Sequence, residues 1–377
     1  HRPYPRDCET TMRDAVKFTS LFLLIPVFLM TGCVTVGHPE QSMRDKSSCH
    51  IIYDAGSSGT RLYVYEWTAD GWLKHGGATS PALADPVRSI YGKTPEDIPA
   101  VVDQVVASLD AIQQAGPADR YGKQAWAAFD WRVQCEVETV SVLATAGMRM
   151  AEAQNPAASE LLWNLLNQEI RKKVGMPVIS RSITGFEEGL YAWIAEHELQ
   201  GDTDFGIVEM GGGSLQVSFP CQPCKTSRQV LIEDQMVPMY SYAFSGWGQD
   251  ELLDRLGSLP ACEKGAGKKD PDWQETDCSV GFSSFRQFAS EPRSNMEIAD
   301  IAQWYVGGAF QYMKDDDIER YCHEDYDSDY QPESACFRAV YQRYVLDSLG
   351  LEMRTAIADF EWTLGAVICT ATRCLER

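Results

Sequence analysis

Apolar positions along the chain follow two rhythms: short β-like runs that end in glycine, and longer stretches that repeat every three or four residues. Residues 50–53 predict a short apolar strand, and residues 61–67 a second strand of alternating character, with a glycine-serine turn between them. From 97 to 114, Ile98, Val101, Val102, Val105, Val106, Leu109 and Ile112 share one side of a predicted helix. Residues 140–145 read as a buried strand. Residues 159–174 read as an amphipathic helix with Leu161, Leu162, Leu165, Leu166 and Ile170 inward, and 178–182 as a further strand. A second unit begins near Ile183, with a helix over 187–198 and strands over 205–209 and 215–219 around a second glycine turn. Residues 260–287, rich in Gly, Lys, Asp and Cys, predict an irregular insertion pinned by a disulfide, while 298–313 and 335–349 predict helices.

Within this pattern one unit occurs twice. Asp54-Ala55-Gly56-Ser57-Ser58-Gly59 follows one strand, and Glu209-Met210-Gly211-Gly212-Gly213-Ser214 follows another. Each is strand, carboxylate, glycine-rich turn, hydroxyl, strand. Glycines let a backbone approach a phosphate without Cβ obstruction, and consecutive N–H groups in such a turn form an anion-binding nest. A carboxylate at the strand end suits the water shell of a divalent cation. A single hairpin of this kind is ordinary; two with carboxylates at equivalent places point to a phosphate cleft.

Composition narrows the partners. At 377 residues, with 44% hydrophobic positions, the chain is long enough for two domains with sizeable cores. A formal charge of −21 repels polynucleotides, so nucleic acid is excluded as a partner, whereas a small anion remains possible with a cation beside it. Arg13 and Lys17 precede the apolar run 18–30, which is of signal-peptide length and interrupted by Pro26, and Thr31-Gly32-Cys33 then resembles a lipobox. The expectation is an exported protein, periplasmic or at the cell surface, tied to a bacterial membrane only through a lipid on Cys33, and monomeric. Residues 1–11 lie ahead of the expected start at Met12.

Cysteine usage agrees with export. Setting aside Cys8 and Cys33, ten cysteines remain, an even number suited to disulfides. Local pairs are expected for Cys262–Cys278, Cys322–Cys336 and Cys369–Cys374, with Cys49, Cys135, Cys221 and Cys224 pairing among themselves. Cys221 and Cys224 have C-x-x-C spacing, but no second such pair or histidine pair completes a zinc site, which favours a structural disulfide. The acidic patches at 315–317 and 324–329 lack EF-hand spacing and read as a solvated face. The segment around Gly265 and Lys268 lacks the first glycine and the hydroxyl of a Walker A loop.

Five segments, in order, resemble the signature regions of the nucleoside triphosphate diphosphohydrolases, or ecto-apyrases, within the actin-like ATPase superfamily. They are DAGSSGTRLYVY (54–65), ATAGMR (144–149), TGFEEGLYAW (184–193), EMGGGSLQV (209–217) and WTLGA (362–366). The stretch 240–251 also resembles the family's S-Y-x-x-x-G-x-G segment. The resemblance implies two α/β domains of the actin-like, ribonuclease-H-like kind with a cleft between them. The N-terminal pattern places a leader and lipoprotein-type signal at 1–33 and a tether at 34–48. The first domain is then 49–182 plus 355–377, where the last helix returns, and the second is 183–354.

The resemblance also implies roles. Glu188 is the expected catalytic base, with Ser214 and Gln216 orienting the water and Thr145 nearby. Ser57, Ser58, Gly59, Thr60, Arg61 and Ala146, with Gly211, Gly212 and Gly213, are the expected phosphate binders. Asp54 and Glu209 would hold Mg²⁺ or Ca²⁺ through water, and Arg149 would fasten its loop to a carboxylate. The implied reaction is apyrase chemistry: metal-dependent hydrolysis of nucleoside tri- and diphosphates to monophosphate and orthophosphate. With only six histidines and no Ser-His or Cys-His arrangement, direct attack by water is expected over a covalent intermediate. The chain departs from the family at Glu209, where Asp is usual, at Phe186, where Gln is usual, and at Ala192, where Gly is usual. Trp304, Tyr305, Phe310, Tyr312, Tyr326 and Tyr330 are candidates for stacking a nucleobase. Rival readings are an exopolyphosphatase-type phosphohydrolase, a non-catalytic nucleotide-binding surface lipoprotein and, more distantly, a sugar kinase.

Overall fold

The computed structural model describes residues 46–118, 124–222, 224–324, 326, 331–351 and 355–375. The leader, Cys8, Cys33, the tether up to residue 45 and Tyr330 lie outside the described residues. Among the described residues no helix is long and apolar enough to cross a membrane.

Two mixed sheets carry the architecture. The first contains β1 (Ser47–Gly56), β2 (Gly59–Thr68), β3 (Gly71–Ser80), β4 (Cys135–Ala144) and β5 (Ile179–Ser182), in the order β3-β2-β1-β4-β5. The pairs β1–β2 and β2–β3 are antiparallel, while β4 and β5 run parallel to β1. The second contains β6 (Phe205–Met210), β7 (Ser214–Pro220), β8 (Arg228–Ile232), β9 (Gln235–Ser245), β10 (Gln303–Gly308) and β11 (Thr355–Ile357), in the order β11-β10-β6-β7-β9-β8. Its β6–β7 and β7–β9 pairs are antiparallel and β10 and β11 run parallel to β6. Apart from the edge strand β8, the second sheet repeats the order and directions of the first. The sequence repeat is therefore a repeat of topology, with each glycine turn joining the central strand to its antiparallel neighbour.

Helices cover the faces. In the first half these are α1 (Ala84–Arg88), α2 (Ile98–Ala111), α3 (Trp131–Gln134), α4 (Ala146–Gln154) and α5 (Pro156–Val174). The predicted stripe of α2 is buried, as are Leu162, Leu166 and Ile170 of α5, and these form one core with Ile51, Tyr53, Leu62 and Val64. Leu161, expected inward, is 52% exposed, because α5 offers the sheet a narrower stripe than its leucine content suggests. The second half has α6 (Gly185–Gln200), α7 (Gln249–Leu256), α8 (Ala266–Lys269), α9 (Glu275–Ser279), α10 (Phe285–Ala299) and α11 (Ala335–Leu349), and the chain closes with α12 (Trp362–Thr372).

A third core joins the two sheets: Ile52, Tyr65 and Leu143 from one and Phe205, Ile207 and Met239 from the other pack around Leu190, Trp193 and Ile194 of α6 and Trp362, Ala366 and Val367 of α12. The two helices touch backbone to backbone, since a Cβ on Gly365 would overlap the Tyr191 carbonyl. Tyr65 Oη, within β2, bonds both Glu361 (2.9 Å) and Thr363 (2.8 Å) at the start of α12.

Two expected elements differ. Residues 298–313 are not a helix: α10 ends at Ala299, Asp300 turns left-handed (φ 52°), and β10 follows as a buried parallel strand. The apolar run of such a strand mimics a buried helix in sequence. The insertion at 260–287 is less irregular than its composition suggests, since it contains α8, α9 and the start of α10. Its disulfide, Cys262–Cys278, is present, as are Cys322–Cys336 and Cys369–Cys374. The remaining four cysteines pair as Cys49–Cys135, which clamps the starts of β1 and β4, and Cys221–Cys224.

Candidate functional site

Adjacent glutamates in α6 have different fates. Thr184 caps the helix: its Oγ1 accepts from the Glu187 N–H (3.2 Å) while the Glu187 carboxylate accepts from the Thr184 N–H (2.7 Å). Such a reciprocal box stabilises a helix by about 1 kcal/mol. Burial opposes ionisation of Glu187, but Arg181 at 2.6 Å and the Thr184 donors outweigh it and hold the carboxyl below its ordinary value. Glu187 is thereby committed to structure. Glu188, one residue on, turns inward, and only 7% of it is exposed.

Arg149 of α4 holds Glu188 Oε2 at 2.9 Å and also donates to the Ile183 carbonyl at 2.9 Å. Ser214 Oγ lies 3.4 Å from Glu188 Oε1, and Gln216 Nε2 donates to Ser214 Oγ at 2.5 Å. Burial raises the Glu188 carboxyl above its ordinary value, resisted by the Arg149 charge and by hydrogen bonds from Arg149, Ser214 and Gln216. Thr145, buried at the N-cap of α4, donates its N–H to the Ala55 carbonyl, which fixes that helix end beside the first turn.

Asp54 on β1 and Glu209 on β6 feel the same charge. Burial pushes Asp54 up to about 6, with Arg61 (3.6 Å) opposing and Glu188 adding repulsion. Glu209 is raised well above the carboxylate range by burial, then by Glu188 and Asp54, and its Oε2 is buried without a hydrogen-bond partner. Three mutually repelling carboxylates, one with an orphaned oxygen, fit a cation held between them. Among the described residues no group of three or more His, Cys, Asp or Glu side chains is arranged to ligate a metal directly.

The two glycine turns meet. A Cβ on Gly212 would lie 2.6 Å from Ser57 Oγ and 2.6 Å from Asp250 Oδ2, and one on Gly213 would lie 3.1 Å from Ala146 Cβ. Gly147 backs the first turn, its notional Cβ 3.2 Å from Ser57 Cα. Carbonyls of the second turn are used up by α7, since Gly211 O accepts from Gln249 N (3.1 Å) and Gly212 O from Asp250 N (3.1 Å) and Glu251 N (3.0 Å). Among the described residues the N–H groups of Ser57, Ser58, Gly212 and Gly213 donate to no other group. Amides left free beside a helix N-terminus are chemically suited to an anion.

Every expected site residue lies on these elements. Glu188, Ser214, Gln216, Asp54 and Glu209 share one space, with Ser57, Ala146, Gly212 and Gly213 along its edge. Gly59 and Thr60 begin β2, where Thr60 is buried and donates to the Pro81 carbonyl (3.0 Å). Arg61 is turned to Asp54, with its Nη2 3.5 Å from Ser58 Oγ. Among the aromatic candidates, Trp304 and Phe310 are core residues, whereas Tyr312 (79%) and Tyr326 (52%) are exposed. Asp250 and Gly248 carried no assigned role in sequence, although both fall in the glycine-rich 240–251 segment. A Cβ on Gly248 would collide with the Gly212 carbonyl and the Ser214 nitrogen.

Residues 132–255, which include the Arg149–Glu188–Ser214 group and the second turn, match the GDA1/CD39 (nucleoside phosphatase) family model. The chain is 24% identical to the nucleoside-triphosphatase ntp-1 of Caenorhabditis elegans, covering 93% of this chain and 79% of that protein. It is 24% identical to human ectonucleoside triphosphate diphosphohydrolase 3 and 28% to the probable apyrase 5 of Arabidopsis thaliana. Each of these two alignments covers 65% of this chain, which spans only about half the length of either relative. In fold the chain is similar to the Ppx/GppA family member of Aquifex aeolicus (TM-score 0.50, 14% identity, 86% of this chain and 98% of that one). It is similar also to an exopolyphosphatase of Cytophaga hutchinsonii (TM-score 0.50, 12% identity, 86% and 98%). Residues 132–255 thus carry a resemblance to the GDA1/CD39 (nucleoside phosphatase) family, and the relatives named above are similar to the chain over 65% or more of its length.

Proposed function

We infer that the protein is an apyrase that hydrolyses the terminal phosphates of nucleoside tri- and diphosphates to orthophosphate and a nucleoside monophosphate. The observation that carries this reading is the Glu188–Ser214–Gln216 relay facing two turns whose amides are free. The cleft then runs between residues 49–182 with 355–377 and residues 183–354. Phosphate oxygens bind the amides of Ser57, Ser58, Gly212 and Gly213, with Gly59, Thr60, Arg61, Ala146 and Gly211 completing the cradle.

Gln216 directs the Ser214 hydroxyl, which orients a water toward Glu188, and Thr145 borders the same space. Glu188 accepts the proton as the water oxygen bonds to the terminal phosphorus, and the bridging P–O bond breaks to release the shortened nucleotide. Arg149 keeps one Glu188 oxygen occupied, so the other faces the water, and its charge opposes the rise that burial imposes on the carboxyl. Asp54 and Glu209 would hold Mg²⁺ or Ca²⁺ through water. When bound, such a cation supplies charge neutralisation on the phosphate oxygens and relieves the repulsion among the carboxylates.

The ectoenzyme names of relatives, the apolar run 18–30 and the five disulfides support an exported protein, with the anchor at Cys33. Phosphate release from ATP, ADP and polyphosphate, each with Mg²⁺ and with Ca²⁺, tests the activity. Turnover of both nucleotides and its loss by about 10²–10⁴-fold in Glu188→Gln are expected. Activity on polyphosphate alone would favour the exopolyphosphatase reading suggested by the names of the solved neighbours. Nucleotide binding without turnover under either cation would favour a binding lipoprotein.

A further inference from the structure

Different helices back the two turns, and side chains join those helices. α1 lies against α4, where a Cβ on Gly147 would sit 3.7 Å from Ala84 Cβ and 3.2 Å from Ser57 Cα. On the other side, the first amides of α7 hold the carbonyls of the second turn. Between α1 and α7 the Arg88 guanidinium makes a two-pronged pair with Glu251, 3.1 Å on each prong, with only 15% and 23% of the two side chains exposed. Arg88 Nε also reaches Gln154, the last residue of α4, at 3.4 Å. Three residues along on each partner, Tyr91 Oη donates to Asp254 Oδ2 at 3.0 Å. The linking chain is left-handed at Ser89 (φ 56°), Tyr91 (φ 54°) and Gly92 (φ 72°). A bulky residue such as Tyr91 adopts that conformation only where surrounding contacts impose it.

We propose that Arg88–Glu251, seconded by Tyr91–Asp254, is a latch between the two halves that sets the spacing of the two phosphate turns. These are positioning residues; none belongs to the group around Glu188. The inference rests on the reading of the turns as a phosphate site. The sheets are joined by the core around α6 and α12, but the turns themselves meet only through glycine and serine. The latch acts on the helices that carry them. With it closed, the amides of both turns are arranged for one polyphosphate before it arrives. With it broken, part of the substrate's binding energy goes into closing the halves, which weakens apparent affinity without altering the chemistry at Glu188.

The test uses the full chain with Arg88→Ala, Glu251→Gln, Tyr91→Phe and the Arg88→Ala/Glu251→Gln double variant. The expected result is a KM for ATP raised about five-fold or more in the Arg88 and Glu251 variants, with kcat within about two-fold of the parent. The double variant should be no worse than the worse single one, and Tyr91→Phe should show a smaller shift in the same direction. Hydrogen exchange at the bonded amides that hold the turns, those of Thr145, Gly211, Gln249 and Asp250, should quicken in step with KM. Charge exchange, Arg88→Glu with Glu251→Arg, should recover part of the KM. Folded variants with unchanged KM and exchange would overturn the latch, as would a fall in kcat at constant KM, the mark of a merely structural role. A parent chain that releases no phosphate would sink the apyrase reading, while the exchange measurement would still decide whether the pair holds the turns.

Discussion

The two glycine turns occupy equivalent places in two sheets of the same topology, yet their carboxylates live differently. Opposite Asp54 on the neighbouring strand stands Arg61; opposite Glu209, at the same register, stands Gln216. The first carboxylate therefore has a cation at 3.6 Å, and burial lifts it only to about 6. The second has no such partner, because Gln216 is spent on Ser214, and it is lifted well above the carboxylate range with one oxygen orphaned. The first turn adds hydroxyls and the second offers bare backbone stapled to α7. A duplicated scaffold has thus diverged into a side that carries donors and charge and a side that allows close approach and leaves a charge uncompensated.

The largest expected effect comes from the tighter backbone contact, which belongs to the second turn. Gly248→Ala drives a methyl into Gly212 and Ser214, and phosphate release should fall by about 10²-fold, the scale of a misplacement near 1 Å. In Gly56→Ala the new methyl has neighbours no nearer than 3.5 Å, and the thermal midpoint should shift by no more than about 0.5 kcal/mol of stability requires. Equal damage from both would erase the distinction between the turns.

Next comes Arg149→Met, which strips Glu188 of its cation. The acid limb of the kcat/KM profile should move to higher pH by about one unit or more, since the lost charge and hydrogen bond both favoured the ionised form. An unmoved limb would mean that Glu188 does not govern the profile.

Glu209→Gln sharpens the contrast in stability. In chelator near pH 7.5 it should raise stability by about 1–3 kcal/mol, because it removes a buried, unpaired charge. Asp54→Asn should gain less, as it strands Arg61. Calorimetry of both variants with and without cation is the measurement, and a greater gain in Asp54→Asn would reverse the comparison.

The smallest effect is the pH dependence of the metal-free protein. With a raised folded-state value, Asp54 contributes stability that is full below its unfolded value near 4 and is lost as pH rises through about 6. Asp54→Asn should therefore flatten the melting profile across that window by on the order of 2 kcal/mol, and added cation should offset the loss in the parent. A profile identical in parent and variant would place the titration elsewhere.

Much of the site was readable because its chemistry is local. A glycine turn needs its glycines in consecutive positions, and a capping box needs Thr184 three residues before Glu187, so both appear in sequence as compact motifs. Arg149 was readable as a clamp on a carboxylate, although Glu188 as that carboxylate emerged only with the packing of α4 beside α6. The latch was not readable: Arg88 and Glu251 are far apart in the chain, and either alone resembles any surface charge. Nor was β10, where Trp304-Tyr305-Val306 is apolar without a break although of the three only Trp304 and Val306 are fully buried between β6 and β11. Among the candidate aromatics, Trp304 and Phe310 were settled as core by burial, which depends on which strands become central.

By itself, then, the sequence determined the two glycine turns with their carboxylates, the repeat that relates them, and the local cysteine pairs. Those follow from backbone conformation and short-range spacing. Tertiary structure alone decided that Glu209 faces Gln216 while Asp54 faces Arg61, that α7 consumes the carbonyls of the second turn, and that Arg88 meets Glu251. These depend on strand register and on the approach of two sheets, which residues distant in the chain reach only when the shared core around α6 and α12 closes.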